Sequence, residues 1–243
     1  YTWWWSRLNR KRNPINVFMI YFGKMGKKKK NVLILFGGKS AEHEVSVITG
    51  LQVLENIDRE KYNPLPIYLN KKNTFYFLPK LKSRQDFFKV KREKVVLANE
   101  GKGAYVKSGS LIKKKILVDA AYLTFHGGTG EDGSVQGMLN VLNIPYTSPG
   151  VESSAISMNK FITKLLVKEN GVLVLPGKSV YRWDLKSKGE KDVLVEETKK
   201  KLGFPLILKP AHLGSSIGID IVKNESQRKK QPNVASFIDE EVL

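Results

Sequence analysis

Apolar residues fall along this chain in short blocks separated by glycine-rich turns. Val32 to Phe36 is an unbroken apolar run ending in Gly37-Gly38, the pattern of a parallel strand covered on both faces. Ser40 then stands as an N-cap, and Val47, Leu51 and Leu54 recur at i, i+4 and i+7, one face of a helix. Residues 62–69 are extended again, which completes a β-α-β unit. Residues 71–115 alternate aromatic runs such as Thr74 to Leu78 with Lys-rich and Gly-containing stretches, predicting a β-hairpin excursion at the sheet edge. Residues 116–125 read as one strand and residues 135–142 as a helix leading to Ile144-Pro145-Tyr146.

After Gly150 the pattern shifts, which marks a domain boundary. Residues 151–158 and 160–169 predict two short helices, with Gly171 as the C′ stop of the second. Residues 178–183 predict a strand, 190–202 a helix, 204–209 a strand, and 219–222 another strand beyond a Gly/Ser loop. There is no internal repeat and no low-complexity block.

Residues 1–30, which include Trp3-Trp4-Trp5, follow neither period and read as a disordered or extraneous basic tail. A chain starting at Met25 has an ordinary N-terminus, so residues 1–24 are expected to be extraneous. The rival is a signal peptide, but the apolar run from Val17 to Phe22 is short of the h-region one needs.

Composition changes this picture little. The chain has 243 residues, 41% hydrophobic and 27% charged, a globular balance that excludes collagen-like and wholly disordered classes. It has no cysteine, which excludes disulfides, thiolate metal sites and a cysteine nucleophile and accords with a reducing cytoplasm. No apolar run is long enough for a membrane-spanning helix. The net charge of +19 points first to nucleic acid, but its distribution argues otherwise. Residues 1–30 hold nine Lys or Arg and no acid, residues 71–115 hold fourteen basic against three acidic residues, and the rest balances to −1. Charge confined to a tail and a connector, with no base-reading motif beside it, reads as solvated surface.

Three loops carry candidate chemistry. Residues 37–44 place Glu42, His43 and Glu44 at the top of the first strand, where ligands gather in α/β sheets; acids there also suit a helix N-terminus. The dinucleotide fingerprint G-x-G-x-x-G is absent. His126 ends a strand and opens Gly127-Gly128-Thr129-Gly130-Glu131-Asp132-Gly133, too rich in Gly and acid for a core segment. Residues 213–218 are mostly small, so their N–H groups can approach an anion, and Lys209 before them can neutralise phosphate charge. The same loop also suits a plain hairpin, and it is no Walker A sequence. Lys160 opens a helix, where the macrodipole disfavours a cation unless an anion accompanies it. All three histidines, His43, His126 and His212, lie in these loops.

The strings LFGGKSAEHEVS (35–46), HGGTGEDGSVQGMLNVLNIPYTSPGVESSAISMNK (126–160), LGFPLILKPAHLGSSIGI (202–219) and DEEVL (239–243), in this order, resemble the D-alanine–D-alanine ligases of the ATP-grasp superfamily. The resemblance covers residues 31–243. It implies an α/β fold: a Rossmann-like (preATP-grasp) N-terminal domain with a parallel sheet over 31–150, then an incomplete ATP-grasp α+β subdomain over 151–243. In that family one D-alanine carboxylate attacks the γ-phosphate of ATP, and the amine of a second D-alanine then takes the acyl group from phosphate, in the service of peptidoglycan synthesis. Such chemistry asks for positioning and charge stabilisation rather than a protein nucleophile.

Residue by residue, the resemblance implies that Glu42 binds the ammonium of the first D-alanine and His126 lies beside its carboxylate, with Val45 lining the pocket. It implies that Lys160 and Lys209 hold ATP phosphates and that Gly214, Ser215 and Ser216 close over them, Ser215 also bonding toward Glu42. ATP and Mg2+ are the implied cofactors. The metal ligands, adenine hinge, mobile loop and oxyanion arginine are expected beyond Leu243, so the chain is expected to be a fragment that does not ligate by itself. A homodimer in the cytoplasm, with D-alanine and ATP as small-molecule partners and no specific nucleic acid or membrane, is the implied setting. The alternatives are a D-alanine–D-lactate ligase and a non-catalytic substrate-binding fragment.

Overall fold

A computed structural model describes residues 28–108, 115–181, 183, 193, 196–198, 200–224 and 241–242. The expectations for residues 1–27 lie outside the described residues. The largest element is an eight-stranded mixed sheet. Its strands are β1 (Lys30–Gly37), β2 (Tyr62–Leu69), β3 (Phe75–Phe77), β4 (Glu93–Asn99), β5 (Ala104–Ser108), β6 (Lys115–Leu117), β7 (Ala120–Leu123) and β8 (Tyr146–Thr147). They lie in the order β6-β5-β4-β3-β2-β1-β7-β8. The half β2-β1-β7-β8 is parallel and β3 to β6 extend it antiparallel.

The unbroken run of β1 finds its reason in burial on both faces. Leu33 and Leu35 pack with Leu65, Ile67, Val135 and Leu139 on one side of the sheet. Val32, Ile34 and Phe36 pack on the other with Val47, Leu51 and Leu54 of helix α1 (His43–Asn56). Burying a side chain of this size stabilises by roughly 1.5–3 kcal/mol, so the central strand and its helix anchor the domain. At Gly50 the helix lies so close that an added Cβ would stand 2.6 Å from Phe36 Cβ.

Three expectations are corrected. The N-cap of α1 is Glu42, not Ser40; Ser40 Oγ instead accepts the Glu42 N–H at 3.0 Å, turning the chain into the helix. The 71–115 excursion is a four-stranded antiparallel extension rather than one hairpin. Its charge has a structural use, since β6 is an edge strand and lysines there oppose pairing with another chain. The predicted 116–125 strand divides at Val118-Asp119 between antiparallel β6 and parallel β7. Apolar continuity hid the break, and Asp119 marks it by accepting from Lys30 Nζ at 3.1 Å and Asn31 N at 2.8 Å.

Helices α2 (Ser134–Val141), α3 (Val151–Met158) and α4 (Lys160–Glu169) follow. Asn159 caps α4, its Oδ1 accepting from Phe161 N and Ile162 N at 2.9 and 3.0 Å. Gly171 beyond it has φ +81°, the left-handed C′ residue that ends a helix. Strand β9 is limited to Val180–Tyr181 and pairs with β12 (Glu241–Val242); β10 (Leu206–Leu208) pairs antiparallel with β11 (Asp220–Val222). The predicted 190–202 helix falls partly outside the described residues, and Val193, residues 196–198 and residues 200–202 are helical. Among the described residues no helix is long and apolar enough to cross a membrane.

Candidate functional site

Parallel pairing of β1 with β7 sets the first two loops side by side at the carboxyl end of the sheet. Chain direction diverges there, with β1 connecting to β2 on one flank and lying against β7 on the other, the switch point where α/β sheets open a crevice. Buried Ser46 ties the two strand ends together: its Oγ accepts from Gly37 N at 2.8 Å and donates to Thr124 O at 2.9 Å.

Glu42 is the point on which all three loops converge. Seen from the glycines around it, a Cβ on Gly127 would stand 2.9 Å from Glu42 Oε2, and a Cβ on Gly214 would stand 2.8 Å from the same oxygen. A side chain at either position would crowd the carboxylate, so glycine lets the backbone come close to it. Gly127 also has φ +68°. The Ser215 hydroxyl donates to Glu42 Oε1 across 173 positions of sequence. Ser215 and its neighbour Ser216 have φ of +49° and +59°, a left-handed conformation that costs a non-glycine residue about 1–2 kcal/mol. The hairpin that the loop of residues 213–218 also suited is present, since that loop lies between β10 and the antiparallel β11.

The histidines divide by environment. His43 Nδ1–H donates to Gly38 O at 2.7 Å and its Nε2 accepts from the Tyr68 hydroxyl at 3.1 Å, while the ring meets Tyr68 edge-on at 5.6 Å. It is buried and locks the first turn, and burial pushes the Tyr68 phenol up. His126 is half-buried and shares a 2.9 Å hydrogen bond with Thr49 Oγ1. Thr49 Oγ1 also lies 3.1 Å from Val45 O, to which it can donate, so the hydroxyl ties the His126 ring to the first turn of α1. Val45, 46% exposed, stands on α1 one turn before Thr49. Sequence reasoning missed Thr49; its i+4 spacing from Val45 was the available signal. His212 accepts through Nε2 from Asn159 Nδ2 at 3.2 Å, joining the third loop to the cap of α4.

Lys160 and Lys209 are brought together with a third lysine, Lys164, that sequence reasoning missed. All three line an open cleft of about 430 Å³ between α4 and the end of β10. Lys160 Nζ donates to Pro210 O and Ala211 O, each at 3.1 Å, and to Leu213 O. Among the described residues no acidic side chain lines the cleft, so this donor set suits a polyanion such as a triphosphate. Among the described residues no three His, Cys, Asp or Glu side chains gather as a metal site.

The sequence model described as "D-ala D-ala ligase N-terminus" matches residues 31–149, and that described as "D-ala D-ala ligase C-terminus" matches residues 166–243. The chain is 40% identical over 217 residues to a D-alanine–D-alanine ligase of Thermosipho africanus, covering 88% of this chain and 58% of the relative. It is 35% identical over 224 residues to one of Listeria welshimeri, covering 88% and 60%. Among solved structures, the VanG D-Ala:D-Ser ligase from Enterococcus faecalis superposes with a TM-score of 0.75 at 28% identity, over 88% of this chain and 62% of that one. The D-alanine–D-alanine ligase from Helicobacter pylori superposes at 0.71 and 26% identity, again over 88% and 62%. The chain thus spans about 60% of the length of these relatives.

Proposed function

The chain belongs to the D-ala D-ala ligase family, and from that premise we propose that it supplies the first-substrate pocket and the triphosphate cleft of an ATP-dependent D-alanine–D-alanine ligase of the cytoplasm. The observation that carries this reading is the convergence of three separate loops on the Glu42 carboxylate.

In this proposal Glu42 holds the ammonium of the first D-alanine, and its bond from Ser215 fixes the carboxylate while linking that substrate to the loop of residues 213–218. His126, its ring oriented by Thr49, stands beside the substrate carboxylate, and Val45 borders the same pocket. Lys160 and Lys209 bring positive charge to the ATP phosphates, with Gly214, Ser215 and Ser216 as the covering loop. ATP supplies the phosphoryl group, and Mg2+ would screen its charge from ligands outside this set. The residues named here bind and align the carboxylate with the phosphate chain, which lowers the barrier by positioning and electrostatics. Residues 31–150 and 151–243 act as the two halves that contribute the pocket and the cleft.

Calorimetric titration of the chain with D-alanine and with L-alanine tests the pocket. Selective binding of D-alanine that is lost in Glu42→Gln is expected; equal binding of both enantiomers, or binding indifferent to Glu42→Gln, overturns the assignment.

A further inference from the structure

His43 follows Glu42 directly and opens α1, yet the two side chains part ways: His43 is buried, whereas Glu42 stays half-exposed at the crevice. Neighbouring residues of a helical turn point about 100° apart around its axis. Whatever holds His43 inward therefore also decides where Glu42 points.

A chain of buried contacts holds it. A backbone carbonyl only accepts, so the 2.7 Å contact between Nδ1 and Gly38 O puts the ring proton on Nδ1. In the neutral ring Nε2 then carries the lone pair, and the Tyr68 hydroxyl donates to it at 3.1 Å. Tyr68 is itself wedged in place. The Arg92 guanidinium stands 5.0 Å from its ring centre, Phe87 meets it edge-on at 5.5 Å, and a Cβ on Gly37 would lie 2.9 Å from its Cε2. Phe87 and Arg92 belong to the 71–115 excursion, whose Lys71 also pairs with Glu44 of α1 at 2.8 Å. The excursion thus braces the first turn of the helix that Glu42 caps.

We propose that His43 and Tyr68 are positioning residues of the first-substrate pocket: their hydrogen-bonded pair, braced by the antiparallel excursion, fixes the direction of the Glu42 carboxylate and with it the affinity for the substrate ammonium. This rests on the reading of Glu42 as the ammonium ligand. It adds two buried residues to which the family resemblance assigns no role, and it gives the excursion a part in binding.

The test titrates the chain with D-alanine and, separately, with ATP, and follows each variant by circular dichroism and urea unfolding. Tyr68→Phe keeps the ring and removes the hydroxyl; D-alanine affinity is expected to fall about threefold, the scale of one neutral hydrogen bond. His43→Leu removes both bonds and is expected to cost about tenfold. His43→Asn can place an amide N–H where Nδ1–H stands, so it is expected to recover most of the affinity that His43→Leu loses. ATP affinity is expected to stay near wild type in all three. Long-range proton–nitrogen NMR of the wild-type chain in mildly alkaline buffer, assigned with the His43 variants, is expected to show the His43 proton on Nδ1. A proton on Nε2 instead, or losses that fall on D-alanine and ATP alike and follow stability, overturns the inference. Unchanged D-alanine affinity in Tyr68→Phe and His43→Leu, beside a loss in Glu42→Gln, overturns it and leaves the ammonium contact standing. D-alanine binding that is absent in wild type or indifferent to Glu42→Gln overturns both.

Discussion

Ser215 donates its hydroxyl proton to the Glu42 carboxylate, so a loop of the C-terminal region is tied to the start of the first helix. A carboxylate that accepts this bond stays in place for a substrate ammonium on its other oxygen. Replacing Glu42 by Gln removes the charge and keeps the shape, and D-alanine affinity is expected to fall at least tenfold with nucleotide affinity nearly unchanged. Ser215→Ala is expected to weaken both ligands modestly, because it loosens the tie between the two loops. Titrations of each variant with D-alanine and with ATP give the comparison; equal losses for both ligands in Glu42→Gln would speak against the ammonium contact.

Gly127 and Gly214 approach Glu42 from two different loops, and a side chain at either would press on its carboxylate. Alanine at Gly214 would place its Cβ 2.8 Å from Glu42 Oε2, so the carboxylate must move. The expected outcome is loss of D-alanine binding with a melting temperature close to wild type, since the loop is exposed. At Gly127 the φ of +68° adds backbone strain, and Gly127→Ala is expected to lose binding and also about 1–2 kcal/mol of stability, read from urea unfolding.

Lys160 offers a separate test of structure against charge. Lys160→Met removes the side-chain donor of Pro210 O and Leu213 O, while Ala211 O keeps the Lys160 N–H, and a buried acceptor left unpaired costs about 1–3 kcal/mol. Unfolding in urea should therefore be easier for Lys160→Met than for Lys209→Met, although both variants are expected to bind ATP more weakly. A stability loss confined to Lys209→Met would contradict this division.

The parallel half of the sheet and helices α3 and α4 were legible in the sequence because apolar period and turn residues agree there. Lys160–Glu169 begins at a capping asparagine and ends before a left-handed glycine, so local signals set both of its ends. The division between β6 and β7 was not legible, because Ile116 to Phe125 is apolar enough to read as one strand and only tertiary pairing separates it at Asp119. The site was legible as three loops but not as one place. Thr49 has only its i+4 spacing from Val45 as a local signal and Lys164 has none: the first is set by a histidine 77 residues away and the second by a lysine on another element. His43 shows the opposite limit, since its loop placement matched the other histidines and its two hydrogen bonds make it a fastening of the turn.

Helix α1 crosses β1 where Gly50 faces Phe36, with 2.6 Å between a built Cβ and the ring's own Cβ. Gly50→Ala would ordinarily favour a helix by up to about 1 kcal/mol. Here the methyl must push the helix off the central strand, and overpacking costs about 1–3 kcal/mol, so a net destabilisation is expected. Moving α1 also moves Glu42 and Thr49, so D-alanine binding should weaken in step with stability. A variant as stable as wild type would mean that α1 and β1 can move apart at little cost.

The depressed Lys164 ammonium makes stability depend on pH in a defined direction. A base whose folded value lies below its ordinary value of 10.5 binds fewer protons folded than unfolded across the interval between the two. Stability therefore rises with pH through that interval, and the charge penalty is present in full below it. Lys164→Gln removes the penalty, so the variant is expected to be more stable than wild type at pH 7, with the gap closing as pH climbs toward 10.5. Lys209→Gln should act the same way more weakly, since the charge of Lys209 is the second cause of the shift and burial the first. Urea unfolding of the three proteins at pH 7 and pH 10 reads both differences. A gap that widens with pH, or a Lys164→Gln variant less stable at pH 7, would show that favourable contacts of Lys164 outweigh the cost of its burial.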